Sequence, residues 1–144
     1  MLKVLRFVAA VVLGLIVGSV VNMGLVMLGP KVFAPPPGGD ITTMEGLKAT
    51  IHLFEPKHFL FPFLAHALGT VVGAFVARLL APGRSTIPPY IVGALFLVGG
   101  ITNVMMLPAP MWFNVVDLVF AYLPAAWLGQ KLAGRPGAPA GAAA

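Results

Sequence analysis

Residues 61–77 read FPFLAHALGTVVGAFVA. The run holds no Lys, Arg, Asp or Glu, and its strongly polar side chains are His66 and Thr70. On a helical wheel of about 100° per residue, Pro62, Gly69, Thr70, Gly73 and Ala77 fall within roughly 60° of His66, while Leu64, Leu68, Val71, Val72 and Phe75 lie opposite. One side suits lipid, and the other, small and polar, suits the close approach of neighbouring helices. A segment so divided is a membrane-spanning helix, and its neighbours in the chain are read accordingly.

Of 144 residues, 59% are hydrophobic and 9% charged, which is too apolar for a soluble domain of this length. Nine Lys and Arg exceed four Asp and Glu, but they stand singly between apolar runs and build no nucleic-acid surface. Cysteine is absent, which removes disulfides, thiolate metal sites and cysteine nucleophiles. The chain contains no phosphate loop, dinucleotide fingerprint, HExxH motif or serine elbow. No cofactor is expected, and binding or transport ranks ahead of catalysis.

Four apolar segments are long enough to cross a hydrocarbon core, which takes about 20 helical residues. They are placed near 4–28, 59–80, 89–107 and 111–132, making residues 1–132 one all-α membrane domain, a four-transmembrane-helix bundle. Lys3 and Arg6 ahead of an apolar run look like the start of a signal peptide. The run extends to Leu28 with no small-x-small site after it, so it is read as an uncleaved first span. That span carries Ala10, Gly14 and Gly18 at four-residue spacing, followed by Asn22, which predicts a packing seam.

Residues 30–57 form the one long loop. After the Pro35–Gly39 run, Thr42 and Glu45 have capping-box spacing, and Met44, Leu47, Ile51 and Phe54 recur on one side. A short amphipathic helix in this first outer loop is expected, stopped at Pro56. The short connections at 81–87 and 108–110 make the helices they join antiparallel neighbours. The tail, residues 133–144, has no pattern able to bury anything and is expected to be disordered.

Lys3, Arg6, Arg78, Arg84, Lys131 and Arg135 fall on one side of the four spans, and Lys31, Lys48 and Lys57 on the other. That asymmetry predicts a multi-pass inner-membrane protein with both termini cytoplasmic. The partners expected are the lipid bilayer and, because 144 residues are few for a complete transporter, a homo-oligomer or a larger membrane complex.

The polar residues of the spans have similar depths. With a rise of about 1.5 Å per residue, Asn22 and His66 lie roughly 10 Å below the outer ends of their spans, Asn103 about 6 Å and Asp117 about 9 Å. Asn114 shares the side of Asp117, and each polar residue stands on the small-residue side of its helix. Asn22, His66, Asn103, Asn114 and Asp117 therefore form the candidate ligand-binding set. An aspartate in mid-membrane costs about 2.5 to 3.5 kcal/mol, so Asp117 requires a partner, and His66 is the titratable residue at matching depth. Burial favours the neutral pair and contact the charged pair, and a site where the two compete exchanges a proton near neutral pH. His52, Glu55 and His58 are the metal candidates, but Pro56 interrupts them and one Glu-x-x-His unit supplies few ligands.

The strings EPKHFLFPFLAHALGTVVGAFVA and DLVFAYLPAAWLG, set in a four-span chain, resemble a group of uncharacterised small four-span bacterial integral membrane proteins. That resemblance implies the architecture and carries no activity.

Overall fold

The computed structural model describes residues 1–134, whose regular elements are all helical, with no strand among them. Four segments are long and apolar enough to cross a membrane: Leu2–Val32, Pro56–Leu80, Ile87–Met106 and Met111–Leu132. In detail the helices are α1 (Leu2–Val32), α2 (Met44–Thr50), α3 (Leu60–Leu80), α4 (Ile87–Met106), α5 (Met111–Phe120) and α6 (Leu123–Leu132). Three 3₁₀ turns, Ile51–Leu53, Pro56–Phe59 and Pro82–Arg84, join them. The chain is a multi-pass membrane protein built as a four-helix bundle.

Helix α3 is the axis, with α1, α4 and α6 all packed on it. Its glycines explain why. A Cβ at Gly73 would lie 2.7 Å from the Gly14 carbonyl oxygen, and one at Gly69 would lie 2.8 Å from that of Gly18. The two backbones touch, as helices in lipid must when dispersion replaces the hydrophobic drive. The expected seam of Ala10, Gly14 and Gly18 thus meets that of Gly69, Gly73 and Ala77 within one chain. Residue numbers rise along α1 as they fall along α3, with Gly29 opposite Phe61, so the helices are antiparallel.

Helix α1 runs further than the apolar core of the first span. It passes through Pro30, which lacks the N–H for one ladder bond, and closes its last turn with Phe33 N–H to the Gly29 oxygen at 2.8 Å. Proline so near a helix end in an apolar setting removes little, and the loop accordingly starts at Phe33. The cap of α2 is also shifted by one residue. Thr43, not Thr42, accepts the Gly46 N–H at 2.9 Å, while Thr42 bonds the Asp40 carboxylate. Helix α2 ends before Pro56, in the Ile51–Leu53 turn, and Pro56 opens the turn that feeds α3. Its apolar side, Leu47 with Ile51, packs beside Phe54 against Phe59 and Phe113, forming a small second core under the loop.

The fourth span is broken. Pro124 has no N–H to offer the Phe120 carbonyl, and the chain turns at Ala121 and Tyr122 (φ −120°, ψ −80°) between α5 and α6. Of the expected tail, Ala133 is buried and caps α6, and Gly134 turns with φ 83°. The remainder, 135–144, lies outside the described residues.

Candidate functional site

His66 stands in the second turn of α3, and Asp117 in the second turn of α5. Their side chains meet, Nδ1 of His66 lying 2.8 Å from Oδ1 of Asp117. The second carboxylate oxygen accepts the Tyr122 hydroxyl at 2.9 Å. The Tyr122 ring stacks on the imidazole with centroids 5.8 Å apart. Asp117 is 3% exposed and Tyr122 2%. Each oxygen of the buried carboxylate therefore has one donor, which is the condition for keeping an anion out of water.

The carboxylate constrains the ring nitrogens. When it is ionised it only accepts, so Nδ1 of His66 donates to it and, in a neutral ring, the lone pair lies on Nε2. Nε2 has no hydrogen-bond partner among the described residues, and His66 lines a cavity of about 660 Å³. Thr70, 1% exposed, donates its hydroxyl to the His66 carbonyl at 2.7 Å and fixes the helix turn that carries the imidazole.

The cavity lies at the end of the bundle that bears the long loop. Its wall is mostly apolar: Val26, Met27 and Phe33 from α1 and its exit, Ile41, Leu47, Ile51 and Phe54 from the loop, and Phe61, Leu107 and Phe113 from the bundle. Polar groups are few: Lys31, His58, His66, Asn103, Asn114 and Asp117. Asn114 donates to the Ala109 carbonyl at 3.3 Å, holding the turn before α5, while Asn103 is exposed.

Four of the five residues singled out in the sequence, His66, Asn103, Asn114 and Asp117, thus line the same cavity. Asn22 does not. It packs against Gly69, whose added Cβ would lie 3.0 Å from the Asn22 Cβ, on the closed α1–α3 seam. Asn22 shares its helix side with Gly18, and Gly18 faces α3. Helix α1 reaches the cavity one turn later, from Val26 onward.

Tyr122 escaped sequence reasoning. In a continuous helix, residues five apart point about 140° away from each other, so Tyr122 reads as facing away from Asp117. The break before Pro124 turns it back, and Gly100 makes the room: a Cβ there would overlap the Tyr122 ring and hydroxyl. Pro124 was the signal available.

The metal candidates have other work. Glu55 and His58 form a reciprocal capping box at the Pro56–Phe59 turn. The Glu55 N–H donates to Nδ1 of His58 at 3.0 Å, so the ring hydrogen sits on Nε2, which donates to the Ala34 carbonyl at 3.0 Å. His58 thereby ties the start of the loop to the start of α3. His52 is exposed, and among the described residues no three His, Cys, Asp or Glu gather as metal ligands.

Comparison of the chain with protein-family models, curated proteins and solved structures finds no match.

Proposed function

We propose that this protein binds an amphipathic ligand in the cavity at the long-loop end and exchanges a proton with it at Nε2 of His66. In this reading it is an inner-membrane protein with both termini cytoplasmic, and the cavity opens outward. The observation that carries the proposal is the 2.8 Å contact between His66 and Asp117 at the wall of an otherwise apolar cavity. A packing contact alone has no need of a 660 Å³ space beside it, and that size falls within the range of about 300 to 1,000 Å³ typical of small-molecule sites.

The chemistry follows from the three side chains. Asp117 holds the imidazole in one tautomer and orientation, and it neutralises the imidazolium formed when Nε2 takes a proton. Tyr122 keeps the second carboxylate oxygen satisfied and covers one face of the ring. Phe33, Phe61 and Phe113 receive the apolar body of the ligand, and Asn103, Asn114 and Lys31 face its polar part.

The test uses 1-aminoanthracene as a probe of the purified protein in detergent, read by energy transfer from tryptophan. The wild type should bind it saturably, with an affinity that changes across pH 5 to 8. His66→Gln should bind with no such change, and Asp117→Leu should lose the pH response while remaining folded. A pH profile in His66→Gln identical to that of the wild type, or unfolding of both variants, would reduce the pair to packing glue.

A further inference from the structure

Arg78 lies in the last turn of α3, at the opposite end of that helix from the cavity. It faces the bundle with Gly73, Ala74 and Ala77 and is 7% exposed. Two of its guanidinium nitrogens, Nε and Nη1, are enclosed and have no hydrogen-bond partner among the described residues. Arginine stays charged at any relevant pH, so this enclosed cation demands a counter-charge.

Among the described residues no carboxylate lies near it. The chain has four carboxylate side chains, and every one lies far along the bundle. Asp40, Glu45 and Glu55 precede α3, whose first residue is about 27 Å from Arg78 along the helix axis. Asp117 is bonded to His66, about 18 Å from Arg78 by the same measure, and both its oxygens are taken. The other charged residues described at this end are cationic. Helix α1 begins here with Lys3 and Arg6, since Gly14 lies opposite Ala77. Arg84 donates to the Ala133 carbonyl at 3.4 Å, which brings the end of α6 and its Lys131 to the same place. The carbonyl ends of α3 and α6 favour a cation, but neither gives Nε or Nη1 a hydrogen bond.

We infer that Arg78 is the recognition residue of an oxyanion site at this end of the bundle, and that its ligand is the phosphate of a phospholipid headgroup. A guanidinium fork matches phosphate geometry with paired donors. Lys3, Arg6 and Arg84 supply the surrounding positive field that draws an anionic lipid surface to this end. With one guanidinium at its centre, the proposed site takes one headgroup and not a diffuse layer of lipid. It is separate from the cavity and does not depend on what the cavity binds.

The experiment compares thermal unfolding of the wild type, Arg78→Met and Lys131→Met in dodecyl maltoside, alone, with phosphatidylglycerol, or with inorganic phosphate. Without added anion, Arg78→Met should be at least as stable as the wild type, because it removes an unpaired buried charge. Phosphatidylglycerol should raise the midpoint of the wild type and of Lys131→Met by several degrees more than that of Arg78→Met. Native mass spectrometry should show one phosphatidylglycerol retained on the wild type and lost from Arg78→Met. Equal lipid-dependent gains in wild type and Arg78→Met, or no retained lipid on the wild type, overturn the site. Stabilisation by inorganic phosphate but not by phosphatidylglycerol overturns the headgroup assignment. Marked destabilisation of Arg78→Met under all three conditions means that the guanidinium is satisfied within the protein, and it overturns the proposal too.

Discussion

Along α3, Gly69, Gly73 and Ala77 let α1 come to backbone contact, whereas earlier in the same helix Phe61, Pro62 and His66 border a 660 Å³ cavity. Both halves belong to one helix, pack against the same neighbour and are apolar on average. The difference is the volume carried at the facing positions. Where both helices present a bare Cα, the gap closes and nothing polar is needed. At the loop end Gly29 faces the side chain of Phe61, and beyond it the cavity is walled by aromatics, with the hydrogen-bonded His66–Asp117 pair at its edge. A membrane bundle thus separates its structural half from its chemical half by side-chain size, one turn apart.

The sharpest way to break that division is to put volume into the closed half. Gly73→Leu would place a Cβ 2.7 Å from the Gly14 oxygen and 3.2 Å from Val92 Cγ1, and a backbone atom cannot step aside. A stability loss of about 3 kcal/mol is expected, read as a lower unfolding midpoint in detergent. An unchanged midpoint would mean that the seam is not in contact. A smaller effect is expected in the open half. Tyr122→Phe removes the hydroxyl that satisfies Asp117 Oδ2 and should cost about 1 kcal/mol. Gly100→Ala should act on the same bond by displacing the ring; if a double variant loses the sum of the two single effects, the residues are not coupled as described.

The smallest effect concerns the loop over the cavity. Asp40 accepts both the Thr42 hydroxyl, at 2.6 Å, and the Thr42 N–H, and these bonds hold its carboxyl below the usual carboxylate range. A group whose pKa is lower folded than unfolded adds stability above its unfolded value, and that contribution disappears as pH falls through the folded value. Amide-exchange protection around residues 40–50 should therefore hold from neutral pH down to about pH 4 and weaken below it, while the α1–α3 seam keeps its protection. Loss of protection in both regions together would show that loop and seam open as one unit.

Most of the architecture was legible in the sequence because its causes are local. Apolar runs of spanning length define the helices, and the small residues of α1 and α3 define the surfaces that meet. His66 and Asp117 stood out because ionisable groups are costly in lipid. The misplacements have one origin, which is that a helical wheel assumes a regular helix and says nothing about which neighbour a face will meet. Asn22 was assigned the correct face of α1, but that face belongs to the glycine seam. Tyr122 was invisible because the chain leaves helical geometry between it and Asp117. The continuation of α1 through Pro30 reflects a general rule about proline yielding to a particular position, the last turn of a long apolar helix.

The interruption at Ala121 and Tyr122 has a mechanical corollary. With ten residues, α5 is only about 15 Å long, a short lever pivoting on two residues. Asp117 sits about 6 Å from the pivot, while Met111 and Trp112 occupy the far tip. A swing of about 10° would move the tip by roughly 2.6 Å and the carboxylate by only about 1 Å, from the same helical rise. The same swing would therefore displace the start of α5 more than twice as far as the carboxylate that meets His66.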